Sequence, residues 1–324
     1  MEDRKKNIVV LDGHTTNPGD LSWEAIARLG NLKVYPVTPR DNQSVVQRAA
    51  DAEIVITNKT VITAELMAQL PKLEYIGLLS TGTNAVDLEY AEAHGITVAN
   101  VPGYSTDSVA QMVFAHILNI CNEAGRYADE TRRGEWARQE SFCYWTKPLT
   151  ELAGKRIGIV GMGNTGSKVA QIALAFGMEV SAATSKPADR LPRGVESVSM
   201  DTLLSTSDFL SLHCPLTPQT RGMVDAAAIA KMKRGAVVVN TARGPLVCEG
   251  DICTALDSGQ LSHYCADVLE TEPPTPGSPL AAHPKAMITP HIAWATKEAR
   301  TRLIGQVARN IEAYLEGKPV NVVS

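Results

Sequence analysis

The sequence predicts an α/β chain with two doubly wound parallel-sheet domains, and three observations carry that reading. A length of 324 residues suits about two domains with ample core. Short apolar runs alternate with helical spacings along the chain, the pattern of strands joined by helical crossovers. The third observation is the stretch 154–187, GKRIGIVGMGNTGSKVAQIALAFGMEVSAATSKP, which reads as strand, glycine turn, helix and strand. Ile157, Ile159 and Val160 form the first strand, and Gly161, Gly163 and Gly166 make a GxGxxG turn. Val169, Ile172, Ala173 and Phe176 share one helix face, Gly177 stops the helix, and residues 180–183 make the second strand. Alone, such a turn is only a tight turn; in this setting it points to a dinucleotide. One glycine allows the turn, one lets backbone N–H groups approach a pyrophosphate, and one lets helix and strand pack closely. The helix N-terminus then faces the anion, with Asn164 and Thr165 as further candidate contacts. This part is expected to be Rossmann-type, and the smaller part flavodoxin-like.

From the start, residues 7–13 (NIVVLDG) read as a buried strand running into a turn, and residues 21–29 carry a helical spacing. Residues 32–37 and 53–57 read as strands, and residues 64–70 as a helix before Pro71. Residues 73–79 are strand-like and enter Ser80-Thr81-Gly82, and residues 96–99 make another short strand. Together these imply a small parallel α/β domain.

Residues 108–119 read as a long apolar helix carrying Val109, Met112, Val113, His116 and Leu118. Residues 122–147 differ, with Arg126, Arg132, Arg133 and Arg138 alongside Trp136, Phe142, Tyr144 and Trp145. The segment is either an arm laid on its own domain or a subunit interface. Trp, Tyr and Arg favour buried contact patches, and the segment has little core of its own, so a homodimer is the expectation. Beyond the glycine unit, residues 209–213, 236–240, 264–268 and 287–289 are strand-like. With 156–160 and 180–183 they make about six strands, the size of a doubly wound dinucleotide domain. Residues 298–315 form a helix by the spacing of Leu303, Val307, Ile311 and Leu315, ended by Gly317 and Pro319. The first domain lacks an element to close it, so this helix is expected to return there. The expected division is 1–104 with 297–324, around 105–296.

Composition narrows the function classes. Apolar residues at 44% and charged residues at 20% are ordinary for a globular chain. A net charge of −4 with no basic run gives no support to a nucleic-acid partner. Six cysteines (121, 143, 214, 248, 253, 265) without a CxxC pair suit reduced thiols better than disulfides or a zinc site. The charged start MEDRKKN runs straight into a strand with no signal-like apolar region, and no apolar run approaches the ~18 residues of a membrane span. The expectation is a cytoplasmic protein with no metal and no membrane partner.

Three strand ends hold polar residues where a doubly wound sheet places its ligand. They are Asn240-Thr241-Ala242-Arg243-Gly244, the run from Asp267 to Pro274 (DVLETEPP), and Thr289-Pro290-His291-Ile292. An Arg, a Glu and a His at neighbouring strand ends can converge on one small substrate. Taken singly, Arg243 could serve as an ion-pair residue, Glu272 as a solvated loop charge and His291 as a turn cap.

In this order, behind a GxGxxG, the motifs Asn-x-x-Arg-Gly, Asp-Val-x-x-x-Glu-Pro and x-Pro-His-Ile resemble those of the D-isomer-specific 2-hydroxyacid dehydrogenases, as does Leu212-His213-Cys214-Pro215-Leu216-Thr217. The likeness covers essentially the whole chain, including GKPVNVV at 317–323. LDGHTTNPGDLSW at 11–23, LSTGTNAVD at 79–87, NVPGYSTDSVAQ at 100–111 and HIAWAT at 291–296 are similar to the glycerate dehydrogenase (hydroxypyruvate reductase) branch.

The resemblance implies roles. Arg243 would hold the substrate carboxylate and polarise the C2 carbonyl, which a planar guanidinium does in bidentate fashion. His291 would be the general acid, and Glu272 would sit beside it, where a carboxylate favours the protonated ring. Backbone N–H groups of Ser80, Thr81 and Gly82 would complete the carboxylate site from the smaller, substrate-binding domain. Asp267 would meet the nicotinamide carboxamide, and Pro215, Thr241, Ala242, Arg243 and His291 would border the coenzyme. The substrate would lie in the cleft, with closure excluding water. His213 reads as a structural or cofactor-edge residue, and histidines 14, 94, 116, 263 and 283 as structural.

One departure concerns the coenzyme. An NAD-type unit places Asp or Glu at the end of its second strand, against the ribose 2′-hydroxyl. Here the strand ends Ala182-Ala183-Thr184-Ser185-Lys186, with Arg190 and Arg193 following and Asp189 beyond the strand. Losing the acid relieves repulsion of a 2′-phosphate, and Lys186 attracts it. The reading therefore favours NADP over NAD as cofactor, with NADH use as the alternative.

The expected function is reversible NAD(P)H-dependent reduction of hydroxypyruvate or glyoxylate to the D-2-hydroxy acid. Other specificities of the family remain open. The end at Ser324 argues against an effector-controlled phosphoglycerate dehydrogenase, and the Glu–His pair against formate oxidation. The alternative from another class is an NAD(H)-sensing binding protein similar to the corepressors of this fold; the absence of a basic or disordered extension argues against it.

Overall fold

The apolar runs pair into two separate parallel sheets. The computed structural model describes residues 5–39 and 41–324. The chain forms two units, one running to Ser105 and resuming at Ala295–Ser324, the other spanning Thr106–Trp294.

In the first unit β1 (Asn7–Val10), β2 (Asn31–Val34), β3 (Ile54–Thr57), β4 (Tyr75–Leu78) and β5 (Thr97–Ala99) lie in the order β2-β1-β3-β4-β5, all parallel. That is the flavodoxin-like order. β3 and β4 are buried along their whole length, as parallel strands covered on both faces require. Short helices connect them: α1 (Gly13–Thr16), α2 (Glu24–Ala27), α3 (Asn42–Ala49), α4 (Ala64–Met67) and α5 (Leu88–Ala93).

The first strand stops at Val10 rather than at residue 13 because Asp12 turns the chain. Its buried carboxylate accepts from Asn58 N at 2.8 Å, Lys59 N at 2.5 Å and Thr60 N at 2.8 Å. The helical spacing over 21–29 yields only the single turn of α2. Asn17 explains the late start, since its Oδ1 accepts from Gly19 N and Leu21 N, both at 3.0 Å.

The second unit opens with α6 (Thr106–Asn122) and α7 (Ala124–Arg132). Its strands are β6 (Arg156–Val160), β7 (Glu179–Ala183), β8 (Val195–Ser197), β9 (Phe209–Leu212), β10 (Ala236–Asn240), β11 (Leu261–Ala266) and β12 (Ala286–Ile288). They make one parallel sheet in the order β12-β11-β10-β9-β6-β7-β8. The expected six strands become seven because β8 is short and mostly exposed, with no apolar run to betray it. The helices are α8 (Asn164–Ala175), α9 (Met200–Thr206), α10 (Ala226–Ala230) and α11 (Glu249–Ser258). Side chains alternate between the two faces, as the period of two demands. Ile157, Ile159, Val237 and Val239 pack with Val113 and Ile117 of α6 and Val169 and Ala173 of α8. Val160, Leu210, Leu212 and Val238 pack instead with Leu203, Ile229, Ile252 and Leu256. The sheet is thus doubly wound, and its C-terminal edge is left for function.

The terminal helix α12 (Lys297–Leu315) belongs to the first unit. Arg300 donates to both carboxylate oxygens of Asp20 at 2.7 Å, and Tyr314 lies 4.7 Å from Tyr75 ring to ring. The tail beyond it runs along β5, with Val323 N donating to Val98 O at 2.8 Å, and covers that sheet edge.

Candidate active site

The C-terminal edge of the larger sheet carries the sequence-selected residues in strand order. Read from one side, it presents Thr289–Ile292 after β12, Asp267–Glu272 after β11 and Asn240–Arg243 after β10. His213–Pro215 then follow β9, Gly161–Gly166 follow β6 and Thr184–Lys186 follow β7.

On the β6–β7 side the backbone forms a cradle. Gly161 has φ +92°, and a Cβ there would lie 2.8 Å from Cys214 N. A Cβ on Gly166 would lie 2.0 Å from Gly161 O, so both glycines are demanded by close approach. Gly163 caps α8 without any side-chain bond, and no acidic residue sits in the first turn. The first N–H groups of α8 are left for an anion. Gly161, Gly163, Thr184, Ser185, Lys186, His213 and Pro215 line a groove of about 420 Å³. Beyond it, Thr241 Oγ1 is buried with no partner among the described residues. Bare cradle, uncapped helix and orphaned hydroxyl all fit a bound dinucleotide. At the β7 end Thr184 replaces the usual acid, its Oγ1 accepting from Lys186 N at 3.2 Å. Lys186, Arg190 and Arg193 are exposed, and no carboxylate pairs with them among the described residues.

His213 is half-buried and its Nε2 lies 2.8 Å from Ser211 Oγ. Burial pushes its pKa down to about 4, so the ring is neutral near pH 7.

On the β10–β12 side three loops are locked together. Asn240, fully buried, accepts from Ala242 N at 3.1 Å and donates to Arg243 O at 2.9 Å, which turns the chain and leaves Arg243 exposed. Arg243 donates to Ala242 O at 2.7 Å, and no carboxylate pairs with it among the described residues. A Cβ on Gly244 would lie 2.0 Å from Leu269 C and 2.1 Å from its O, so only glycine lets this loop press against the backbone before Glu272. Glu272 accepts from Leu269 N at 3.1 Å, and its other oxygen lies 2.5 Å from His291 Nδ1. The Nε2 atom of His291 has no partner among the described residues and is left for chemistry. His291 adopts φ +53°, a left-handed conformation uncommon for a side-chain-bearing residue, and its carbonyl accepts from Trp294 Nε1 at 2.9 Å.

Asp267 faces inward. It is 2% exposed and accepts from Thr289 Oγ1 at 2.6 Å, Ile292 N at 2.9 Å and Ala293 N at 2.7 Å. Its partners in the structure are therefore the loop that carries His291. Asn240 and Gly244 flank Arg243 in its motif, and their spacing, N-x-x-R-G, was the signal that could have marked them as loop-forming residues.

In the first unit, Ser80–Gly82 follow β4. Thr81 Oγ1 donates to Val101 O at 2.8 Å and Ser80 Oγ to Gly82 O at 2.6 Å. The amide N–H groups of Ser80, Thr81 and Gly82 find no acceptor among the described residues.

Residues 114–293 match the family model described as D-isomer specific 2-hydroxyacid dehydrogenase, NAD binding domain. The chain belongs to the D-isomer-specific 2-hydroxyacid dehydrogenases. A hydroxypyruvate reductase of Blautia hydrogenotrophica is 43% identical over 98% of this chain and 99% of its own. A glycerate dehydrogenase of Methylorubrum extorquens is 40% identical over 87% of this chain and 88% of its own. Among solved structures, an acyclic imino acid reductase in complex with NADPH and D-Arg matches with a TM-score of 0.85 at 29% identity, covering 98% of this chain and all of that one. The enzyme is thus an oxidoreductase acting on a CH–OH donor with a nicotinamide coenzyme, on two parallel-sheet α/β units. Among the described residues, no helix is long and apolar enough to cross a membrane.

Proposed function

We propose that this dehydrogenase reduces hydroxypyruvate or glyoxylate to the D-2-hydroxy acid. The observation that carries the reading is the trio at adjoining strand ends: an Arg243 guanidinium with no carboxylate partner among the described residues, and a His291 ring held through Nδ1 by Glu272 with Nε2 open. The full-length likeness to a hydroxypyruvate reductase and the likeness to a glycerate dehydrogenase support the substrate class.

The cradle of Gly161, Gly163 and Gly166 would hold the dinucleotide, whose reduced nicotinamide would supply the hydride when bound. Arg243 binds the carboxylate through paired N–H donors and polarises the carbonyl oxygen. His291 donates a proton from Nε2 to the oxygen as negative charge develops there, and takes it back in the oxidative direction. Glu272 engages Nδ1 and fixes the ring plane, which leaves Nε2 for the proton transfer. In this reading the unpaired amides of Ser80, Thr81 and Gly82 also serve the substrate carboxylate, the unit running to Ser105 is substrate-binding, and Thr106–Trp294 holds the dinucleotide. Asp267 acts as the anchor of the His291 loop.

NADPH is the proposed preference. The missing acid at Thr184 and the unpaired Lys186 support it; the family description, which names NAD, keeps NADH in play. A homodimer is proposed as well. Trp136, Phe142 and Trp145 are 50%, 88% and 64% exposed in the single chain, more apolar surface than one arm ordinarily leaves in water.

The test is a loss-of-absorbance assay crossing NADH and NADPH with hydroxypyruvate, glyoxylate, pyruvate and a bulky 2-oxo acid. Fast turnover of hydroxypyruvate or glyoxylate with NADPH is expected. Nucleotide binding without turnover of any oxo acid would favour a sensor, and a strong NADH preference would overturn the coenzyme assignment alone.

A further inference from the structure

The loop that carries His291 is gripped by α6. Thr289 has one hydroxyl proton, and it goes to Asp267 at 2.6 Å. The Thr289 oxygen is then left as an acceptor, and His116 Nε2 lies 3.4 Å from it. His116 therefore carries its hydrogen on Nε2 and donates it to Thr289. The ring sits on α6 at 2% exposure, and desolvation lowers its pKa from the ordinary value, which keeps it neutral. Eight residues earlier on the same helix, buried Ser108 donates its hydroxyl to Ala293 O. The two positions are separated by about 12 Å along the helix axis. One element thus holds both ends of the segment 289–293, while Asp267 accepts from the amides of Ile292 and Ala293. The segment requires holding, because His291 sits at φ +53°.

We propose that Ser108 and His116 are positioning residues for His291, with α6 as the strut that fixes the acid's approach to substrate. The proposal rests on the reading of His291 as the proton donor. Neither residue touches the reacting atoms. Their contribution lies in geometry, where displacement of a catalytic group by about 1 Å can cost on the order of 100-fold in rate.

The experiment compares His116→Leu, His116→Gln, Thr289→Val, Thr289→Ser and Ser108→Ala in the full-length enzyme. His116→Leu is expected to lower kcat by roughly 10-fold, with KM for the oxo acid and the coenzyme Kd each within about twofold of wild type. His116→Gln, which can place an N–H near the same oxygen, restores most of kcat, and Thr289→Ser outperforms Thr289→Val. Hydrogen exchange gives a second readout independent of turnover: the amides of Ile292 and Ala293 should exchange faster in His116→Leu and Ser108→Ala. Unchanged kcat in His116→Leu, or a Gln variant as slow as the Leu variant, would overturn the proposal. So would kcat and coenzyme Kd moving together, which marks a general loosening of the unit. A wild-type enzyme that turns over no 2-oxo acid would instead overturn the assigned function, and exchange at 292 and 293 would still report whether α6 holds the loop.

Discussion

Gly244→Ala is the perturbation whose effect follows most directly from the geometry. The added methyl carbon would lie 2.0 Å from Leu269 C, 2.1 Å from Leu269 O and 2.4 Å from Glu270 N. All three are backbone atoms, so no flexible side chain can yield. Ordinary contact begins at 3.4 Å, so the two loops must part by about 1.4 Å. On one side of that gap is Arg243, on the other the chain that leads to Glu272 and so to His291. Overpacking of this kind costs about 1–3 kcal/mol in stability. On the proposed roles its catalytic cost is larger, because a separation above about 1 Å between Arg243 and His291 corresponds to on the order of 100-fold in kcat. The assay is steady-state reduction of hydroxypyruvate together with a coenzyme titration by fluorescence. The account expects kcat to fall by about two orders of magnitude while coenzyme Kd stays within about threefold, since the cradle around Gly161 and Gly166 is untouched. A Gly244→Ala enzyme with kcat within about twofold of wild type would refute the reasoning, because the loops would then not need their close approach.

Other outcomes follow from the same structure. Arg243→Lys keeps the charge and loses the fork; one charge-assisted bond, worth about 1.5–3 kcal/mol, corresponds to a loss of about 10- to 100-fold in kcat/KM, and a lysine enzyme as good as wild type would contradict the carboxylate role. His213 has its pKa lowered from 6.5 to about 4, so it contributes stability that is full above pH 6.5 and lost as pH falls toward 4. The loss, at most about 3 kcal/mol for a ring that keeps some exposure, should appear in wild type and be absent in His213→Gln when denaturant melts at pH 7 and pH 4.5 are compared; an equal loss in both would refute it. Trp145→Ala should shift sedimentation toward the monomer; an unchanged profile at the same concentration would place the interface elsewhere.

Much of this architecture was legible in the residues. Parallel strands buried on both faces appear as continuous apolar runs, so β3, β4, β9 and β10 announce themselves, and the polar residues that interrupt those runs mark strand ends. For the same reason Arg243, Glu272 and His291 could be placed on one sheet edge before any coordinates. What escaped lacks such a signal. β8 is three residues long and mostly exposed, and α3 and α5 are short helices whose aspartate caps, Asp41 and Asp87, are their clearest marks. For Asp267 the resemblance implies a coenzyme contact; only the fold shows that three donors of the 289–293 segment converge on it. Ser108 and His116 sit on an apolar helix some 180 residues from their partners, a separation at which no local pattern reports a hydrogen bond.

The central claim is that His291 donates the proton while a separate cradle holds the coenzyme. Measuring hydroxypyruvate reduction and NADPH affinity side by side for wild type and His291→Ala tests it most directly. The account predicts that kcat falls by at least about 100-fold while NADPH Kd changes by less than about threefold. A His291→Ala enzyme that retains wild-type turnover, with its activity still lost on Arg243→Ala, would contradict it.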